Sequence, residues 1–377
     1  MKSIHELLEL ALERRASDLV LKAGLPPVFR IDGQMGVTNL PVITPHDARE
    51  LAYSIIFSAG RDAMLNGALQ PSADGSGMED AERRMQELQS RQEIDLVFTV
   101  PDLVRVRANL YLQRGSIGAA LRIIPLHPYT LDELRLPPIL KEMAMQPQGL
   151  IIITGPTGSG KTTTLAALIE EVNRRRSCNI FTIEDPVEYV FEDRQSVIHQ
   201  REVGTDTDSF GAALRAVMRQ SPDVIAIGEL RDAETMDVAM TASEIGHLVL
   251  ATLHTVSAPA TVTRILNCFP EHLRRHVASQ LAASLLCITS QRLVPRASGE
   301  GRVPAVEVLT NSPTVRKQIE DGDSGELHLS MRDGQLFGMN TMNQALERLY
   351  SEKEITAEAA LQASGFSAEL KQMLRHA

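Results

Sequence analysis

The chain has 377 residues, of which 43% are hydrophobic and 23% charged, and its formal net charge is −10. This length is typical of two folded domains, because a single hydrophobic core rarely serves a chain of this length. The acidic balance disfavours nucleic acid as the main partner, since binding to phosphate backbones draws on a surplus of Lys and Arg. No segment approaches the roughly 20 apolar residues of a transmembrane helix, which predicts a cytoplasmic protein that reaches a membrane only through a partner.

The first part of the chain predicts a small α+β domain. Helical periodicity covers residues 3–15 and about 45–57, whereas alternating apolar and polar residues at 94–100 and 104–113 predict paired strands. We therefore place the N-terminal domain at residues 1–125.

Two further segments have the composition of chain that lies outside a folded core. Residues 70–90 join a cluster of Pro, Gly, Ser and Asp to a charged helical stretch, which predicts an exposed excursion. Prolines crowd the stretch from Pro125 to Pro138. Because proline fixes its own backbone and cannot donate a hydrogen bond, this stretch predicts a stiff, extended interdomain linker over residues 126–148.

Residues 149–377 predict an α/β domain. Short apolar runs alternate there with helical stretches, and runs without polar alternation are typical of strands that are buried on both faces of a parallel sheet. After Val308 the pattern becomes helical, which predicts a helical C-terminal subdomain. The apolar runs are GLIIITG, NIFTIED, DVIAIGE, HLVLATL and VPAVEVL.

A phosphate-binding loop, or P-loop, is predicted where the first apolar run ends. The pattern G-x-x-x-x-G-K-[ST] directly follows the strand LIIIT and precedes a helical stretch, as the motif requires. Its backbone N–H groups and the helix end would hold phosphates, with Lys161 at the β- and γ-phosphates and Thr162 on Mg²⁺. ATP is the expected nucleotide, because no guanine-reading N-K-x-D motif is present. The residues predicted to bind it are Gly155, Pro156, Thr157, Gly158, Ser159, Gly160, Lys161, Thr162 and Thr163.

Acids and a histidine follow three of the predicted strands. The carboxyl ends of parallel strands meet at one edge of the sheet, so Glu184, Asp185, Glu229 and His254 should converge on the P-loop. Glu229 is the first choice for activating the attacking water, the alternative being a Mg²⁺ ligand through water with the base elsewhere. Glu184 and Asp185 would position Mg²⁺ or water, and His254 would donate to the γ-phosphate. His247 lies at the opposite end of its strand, which favours a role in packing or at an interface.

Four sequence boxes stand in a fixed order: the P-loop GPTGSGKT, TIEDPVEYVF at 182–191, DVIAIGELRD at 223–232 and TASEIGHLVLATLHT at 241–255. In order and spacing they resemble the PilT-type retraction ATPases of type IV pili, within the secretion-ATPase superfamily. SQRLVPR at 290–296 is also similar to the family. The resemblance implies a RecA-like P-loop core with Glu229 as the catalytic Walker-B glutamate. It further implies an acidic box of Glu184, Asp185 and Glu188, and a histidine box of His247 and His254.

The resemblance extends to the N-terminal domain, where residues 16–33 and 105–125 are similar to the PAS-like domain of these motors. Arginines of that domain complete the nucleotide site in the family's homo-hexamers, which assigns Arg107 and Arg122, with Arg105 and Arg114 as further candidates. Arginine suits the task because its planar fork binds phosphate through two hydrogen bonds. The alternative is a strand whose arginines are simply solvated.

The function implied by the resemblance is a hexameric, Mg²⁺-dependent ATPase that retracts pili. Such a motor acts on an inner-membrane platform protein, alongside other pilus ATPases, and is recruited from the cytoplasm to the pilus base. One difference concerns the family's AIRNLIRE-like motif, because TVRKQIED at 314–321 keeps Arg316 and Ile319 but lacks the second basic position. The alternatives are a PilU-like accessory ATPase, a pilus-assembly or type II secretion ATPase, a scaffold subunit of low turnover, and a DNA translocase.

Overall fold

The computed structural model describes residues 2–65 and 78–375, which form two compact units divided in sequence between His127 and Pro128. The first unit has one antiparallel sheet with the strand order β3-β2-β1-β6-β5-β4. Its elements are α1 (Ile4–Glu13), β1 (Ala16–Lys22), β2 (Val28–Ile31), β3 (Gln34–Val37), α2 (Pro45–Leu65), α3 (Met78–Arg91), β4 (Glu93–Val100), β5 (Val104–Gln113) and β6 (Ser116–Ile124).

The sheet of the first unit is apolar on one face, as its alternating sequence predicts. In β5, Val106, Ala108 and Leu110 are fully buried while the residues between them are only half-buried. The three helices contribute apolar residues to the same buried cluster, so they cover this face and leave the other face polar.

The charged stretch at the end of the predicted excursion is packed, contrary to our expectation. It forms α3, in which Ala81, Met85 and Leu88 are buried in the core of the first unit. Their spacing of four and three residues places them on one helical face, so a mostly charged helix still has an apolar stripe. The preceding cluster of Pro, Gly, Ser and Asp, at 70–77, lies outside the described residues.

The second unit has a seven-stranded sheet with the order β13-β12-β7-β11-β10-β8-β9. Strands β12, β7, β11, β10, β8 and β9 pair in parallel. The elements are α4 (Ile139–Ala144), β7 (Gly149–Thr154), α5 (Lys161–Arg175), β8 (Asn179–Glu184), β9 (Val197–Glu202), α6 (Phe210–Val217), β10 (Val224–Ile227), α7 (Ala233–Glu244), β11 (Leu248–Leu253), α8 (Ala258–Asn267), α9 (Glu271–Ser284), β12 (Leu285–Pro295), β13 (Arg302–Thr310), α10 (Pro313–Glu320), α11 (Leu327–Asp333), α12 (Met342–Ser351), α13 (Ala357–Ala363) and α14 (Ser367–Met373).

The central strands of this sheet are buried on both faces. In β7, Ile151 and Ile153 pack with α4 and α5, whereas Leu150 and Ile152 pack with helices α6 to α11. This explains why the strand reads as a continuous apolar run without polar alternation. Because these strands run parallel, their carboxyl ends lie at one edge of the sheet.

The edge beyond β12 differs from the expected all-parallel sheet. The predicted strand VPAVEVL is β13, which pairs antiparallel with β12. Only residues 296–301 connect the two strands, and such a short hairpin can join antiparallel neighbours but cannot cross over to a parallel one.

The proline-rich segment also contains a helix where we predicted an extended linker. The helix α4 begins just after Pro137 and Pro138, which are compatible with the start of a helix because no intrahelical hydrogen bond needs their nitrogens. Leu131 and Leu140 are buried in the core that β7 and α5 share. Residues 128–148 are therefore packed with the second unit.

A buried carboxylate joins the C-terminal helices to the sheet. Glu307 of β13 is 4% exposed, and its two oxygens accept hydrogen bonds from the backbone N–H of Ala258 at 2.7 Å and of Met342 at 3.3 Å. These residues are the first of α8 and α12. No helix in the described part of the chain combines the length and apolarity needed to cross a bilayer.

Candidate functional site

The P-loop is the turn of residues 155–160 between β7 and α5. Gly155, Gly158 and Gly160 have φ angles of 143°, 77° and 89°, values that residues with a side chain rarely adopt. A Cβ atom on Gly155 would lie 2.4 Å from the backbone oxygen of Gln291, whereas one on Gly158 would meet nothing within 4 Å. Glycine is thus needed at 155 for close packing, while the loop has open space beside 158.

Gln291 of β12 fastens the P-loop to the sheet, a role that sequence reasoning missed. This side chain is 2% exposed, its Nε2 donates to the backbone oxygen of Ser159 at 2.7 Å, and its Oε1 accepts from the Thr164 hydroxyl at 3.0 Å. One amide therefore holds both the loop and the helix that follows it. The signal was present, since Gln291 lies within the family-like SQRLVPR segment.

Lys161 begins α5 and turns back over the loop. Its Nζ donates to the backbone oxygens of Gly155 and Pro156, each at 3.0 Å. Burial lowers the pKa of Lys161, and the negative charge of Glu229 opposes that shift. The P-loop lysine and the predicted catalytic carboxylate are therefore close enough to interact.

Glu229 and His254 meet at the edge where the strand-end rule predicts them. Glu229 follows β10 and His254 follows β11, and these strands are neighbours in the sheet. Glu229 Oε1 lies 3.4 Å from His254 Nε2. The structure thus brings Glu229 and His254 into contact, and the charge of Glu229 acts on Lys161, while their catalytic roles stay predictions.

The acids at the end of β8 have different surroundings. Glu184 Oε1 accepts hydrogen bonds from the Thr182 hydroxyl at 2.6 Å and from Gln200 Nε2 at 3.1 Å. Burial raises the pKa of Glu184, and the nearby charge of Glu188 adds to the rise. Asp185 instead contacts Arg231, as described next, so the two neighbouring acids are held by different elements.

Arg231 links two of the predicted acids and was also missed from sequence. Its Nε donates to Glu229 Oε2 at 2.7 Å and its Nη1 to Asp185 Oδ2 at 3.3 Å. The guanidinium therefore joins the ends of β10 and β8. Its signal lay within the box GELRD, which we used only for its glutamate.

The rest of the acidic box packs against the P-loop helix. Tyr189 is 5% exposed, and its hydroxyl lies 3.4 Å from Thr163 Oγ1. Burial raises the pKa of Tyr189 to about 12. Gln200 Nε2 donates to the backbone oxygen of Tyr189 at 2.7 Å, so one glutamine side chain holds both Tyr189 and Glu184.

The two histidines of the histidine box lie at opposite ends of β11. His247 precedes the strand, and its backbone oxygen accepts from the Gly149 N–H at 3.0 Å, at the start of β7. His254 follows the strand beside Glu229. Only His254 is at the edge that holds the P-loop.

Three of the four candidate arginines of the first unit lie on the polar face of its sheet. Arg107 of β5 is directly opposite Arg122 of β6, and Arg122 is opposite Asp18 of β1. Arg122 Nε lies 3.4 Å from Asp18 Oδ1. Arg105 lies two residues before Arg107 on the same strand, and Arg114 is in the turn that leads to β6. Two like charges thus face each other across neighbouring strands.

The donor set fits a magnesium nucleotide. The Ser159 hydroxyl in the P-loop is buried and has no hydrogen-bond partner in the described chain. Thr162 is exposed at the start of α5, and Asp185 and Glu229 already share one cationic partner. Within residues 2–65 and 78–375 no three His, Cys, Asp or Glu side chains cluster as a metal site. That is usual for Mg²⁺, which is bound by few protein oxygens together with phosphates and water.

Comparison with known proteins gives a consistent result. Residues 120–375 match the family described as Type II/IV secretion system protein. The chain is 38% identical over 357 residues to the type IV pilus retraction ATPase PilT of Pseudomonas aeruginosa, covering 95% of this chain and 96% of that protein. It is also 38% identical over 372 residues to the type IV pilus ATPase PilU of that species, covering 98% and 91%. A crystal structure of the pilus retraction motor PilT with bound ADP has a TM-score of 0.80 and 40% identity, covering 99% of this chain and 100% of that one.

These similarities confirm the predicted fold class. The second unit is an α/β core of the RecA-like P-loop type. The smaller first unit is the α+β, PAS-like domain.

Proposed function

We propose, from the premise that the chain belongs to the type II/IV secretion system protein family and to its PilT-type members, that it is an ATP-hydrolysing motor that retracts type IV pili. The observation that carries this proposal is the 3.4 Å contact of Glu229 with His254 at the edge of the sheet that holds the P-loop. PilT and PilU, both named as type IV pilus ATPases, support it because each aligns with nearly the whole chain.

Nucleotide binding is assigned to the P-loop and the first turn of α5. The two bonds of Lys161 to loop carbonyls hold its ammonium beside the loop, where it can exchange them for the β- and γ-phosphate oxygens. Burial makes the protonated lysine costly on its own, and phosphate charge offsets that cost. The Ser159 hydroxyl supplies a further donor that no described residue uses.

Hydrolysis is assigned to the strand-end acids. Glu229 orients the attacking water and takes its proton, and His254, which is 3.4 Å from Glu229, donates to the developing charge on the γ-phosphate. Mg²⁺ supplies neutralising charge to the phosphates when bound. The Thr162 hydroxyl and the carboxylates of Asp185 and Glu229 would hold it, partly through water, with Glu184 supporting them.

The mechanical output is assigned to a homo-hexamer. In that assembly Arg107 and Arg122 complete a nucleotide site, so hydrolysis drives closure between domains. The motor is proposed to work in the cytoplasm at the pilus base, on an inner-membrane platform protein and together with other pilus ATPases. Two arginines directly opposite each other support this role, since such a pair of like charges gains from binding an anion.

The biochemical test compares steady-state ATP hydrolysis of the wild type with that of Glu229→Gln. We expect the variant to lose at least about 100-fold in rate while it still binds a fluorescent ATP analogue. Glu234→Gln is the matched control, because Glu234 pairs with Arg215 on the surface of α6 and α7 and should leave the rate unchanged. A wild type that is no faster than Glu229→Gln would reject the motor and favour the low-turnover scaffold.

A second candidate is a PilU-like accessory ATPase, because identity to PilU equals identity to PilT at 38%. Deleting the gene in its host and scoring surface pili and twitching separates the candidates. Excess unretracted pili support retraction, an unchanged count with slower or unchanged twitching supports the accessory role, and loss of pili supports assembly.

A further inference from the structure

Arg231 occupies the position between two acids to which the proposed function gives metal-binding roles. It follows Glu229 by two residues, in the segment between β10 and α7. Its Nε is 2.7 Å from Glu229 Oε2, and its Nη1 is 3.3 Å from Asp185 Oδ2. A planar guanidinium can contact two carboxylates at once, whereas an ammonium acts as a single point charge.

These contacts engage the proposed catalytic carboxylate from two sides. Arg231 is bound to Oε2 of Glu229 while His254 is near Oε1. A carboxylate that is already paired with one cation is a weaker partner for another cation. Oε2 of Glu229 can therefore bind another cation only after Arg231 has moved.

The environment of Arg231 allows that movement. Its side chain is 55% exposed, and exposed ion pairs contribute only about 0–1 kcal/mol. The guanidinium carbon lies 5.8 Å from the centre of the Phe210 ring, which is 9% exposed. This aromatic face can keep the cation nearby when it leaves the carboxylates.

We propose that Arg231 is a resident counter-cation, which pairs with Glu229 and Asp185 until a magnesium nucleotide displaces it. The inference rests on the proposed ATPase function. Arg231 is then a positioning residue that competes with the metal, so Mg²⁺ must displace it to reach the two carboxylates. A fixed clamp that prearranges the two carboxylates for the metal is the opposite arrangement, and it predicts the opposite effect of removing the arginine.

The test measures the affinity of full-length protein for a fluorescent ADP analogue in EDTA and in excess Mg²⁺. The ratio of the two dissociation constants, EDTA over Mg²⁺, reports how much the metal assists nucleotide binding. Removing a competitor worth up to about 1 kcal/mol should raise the ratio about three- to fivefold in Arg231→Gln. An unchanged or lower ratio overturns the proposal.

Two further variants make the result specific. Arg215→Gln removes an arginine that pairs with Glu234 away from the strand-end acids, and it should keep the wild-type ratio. Arg231→Lys keeps a positive charge without the planar fork and should raise the ratio less than Arg231→Gln. If Arg231→Gln does not fold, Arg231→Lys decides, since any rise supports displacement and no rise overturns it. A wild type that binds no nucleotide would reject the proposed function itself, which is a different result.

Discussion

The side-chain oxygen of Gln291 accepts a 3.0 Å hydrogen bond from the hydroxyl of Thr164, which joins β12 to the helix that follows the P-loop. Because the amide nitrogen of the same residue holds Ser159, this contact spans the loop. The shape of the P-loop therefore depends on a strand more than 100 residues further along the chain.

Gln291→Ala should weaken nucleotide binding. It leaves the backbone oxygen of Ser159 and the hydroxyl of Thr164 without their partner, at a cost of about 1–3 kcal/mol for each buried group. We expect the affinity for a fluorescent ATP analogue to fall at least about tenfold. Gln280→Ala is the control, because Gln280 is also buried and donates to Thr241 and Glu244 away from the P-loop. Equal affinities of the two variants would contradict the prediction.

Gly155→Ala should abolish nucleotide binding. The new Cβ would lie 2.4 Å from the backbone oxygen of Gln291 and 2.6 Å from Ser159 Oγ, at a φ of 143°, so the loop must shift. Gly204→Ala isolates the cost of a positive φ, since its φ is 91° and no atom lies within 4 Å. We expect the control to lose only about 1–2 kcal/mol of stability and to bind nucleotide normally. Titration calorimetry and thermal unfolding measure both effects, and normal binding by Gly155→Ala would refute this account.

Glu184 should make stability depend on pH. Burial raises its pKa above the ordinary value of 4.5. Between pH 4.5 and the raised pKa, the folded chain therefore holds a proton that the unfolded chain has lost. The contribution is present below pH 4.5 and is lost as pH rises through the raised value. Glu184→Gln keeps the carbonyl acceptor for Thr182 and Gln200 without a charge. Urea unfolding should show the variant gaining stability over the wild type as pH rises from mildly acidic to neutral, and a constant difference would contradict the cause given.

Arg107→Gln should slow hydrolysis without unfolding the first unit. The change removes one of two like charges that face each other across β5 and β6, so the free energy of unfolding should stay within about 0.5 kcal/mol. We expect the rate of ATP hydrolysis to fall at least about tenfold if this arginine contacts phosphate during the reaction. Arg30→Gln is matched, because Arg30 Nε pairs with Asp18 at 3.3 Å in the same sheet. Equal rates in the two variants would leave Arg107 as a solvated surface residue.

Arg316→Ala should affect motility and spare hydrolysis. In α10, Val315 and Ile319 are fully buried and hold the helix in place, whereas Arg316 and Glu320 are exposed. Glu320 stands at the family's second basic position, so this difference changes the surface charge of α10 and not its packing. We expect Arg316→Ala to reduce twitching with an unchanged ATPase rate. Lys317→Ala, which changes an exposed basic neighbour, should alter neither twitching nor the ATPase rate. Equal loss of twitching in both variants would count against a specific role of Arg316.

The parts of the fold that follow from local pattern were accessible from sequence. Continuous apolar runs predicted β7, β8, β10 and β11 because these strands are buried on both faces. The strand β12 was missed because α9 runs into it at Leu285 without a turn residue between them. The strand β9 was missed because it is an edge strand of mixed polarity with no fully buried residue. The packing of α3 and residues 128–148 depended on distant partners.

The residues of the candidate site also divide into those that the sequence predicted and those that it did not. Glu229, His254 and Asp185 could be placed because strand ends share one edge, a rule that needs only strand order and direction. Gln291 and Arg231 could not, since each acts through contacts with elements remote in the chain. Both residues lie in segments that resemble the family, SQRLVPR and GELRD, but neither segment shows which partner the side chain will contact.

The shared carboxylate of Glu307 bears on how far the chain can be shortened. A chain cut before Met342 would lose one of the two N–H groups that satisfy this buried residue, and an unsatisfied buried polar group costs about 1–3 kcal/mol. Its other partner, Ala258, begins the helix that leads away from His254. The C-terminal helices are therefore part of the fold of the second unit. A fragment that ends after β13 should be less stable around Glu307 and at the start of α8, close to His254.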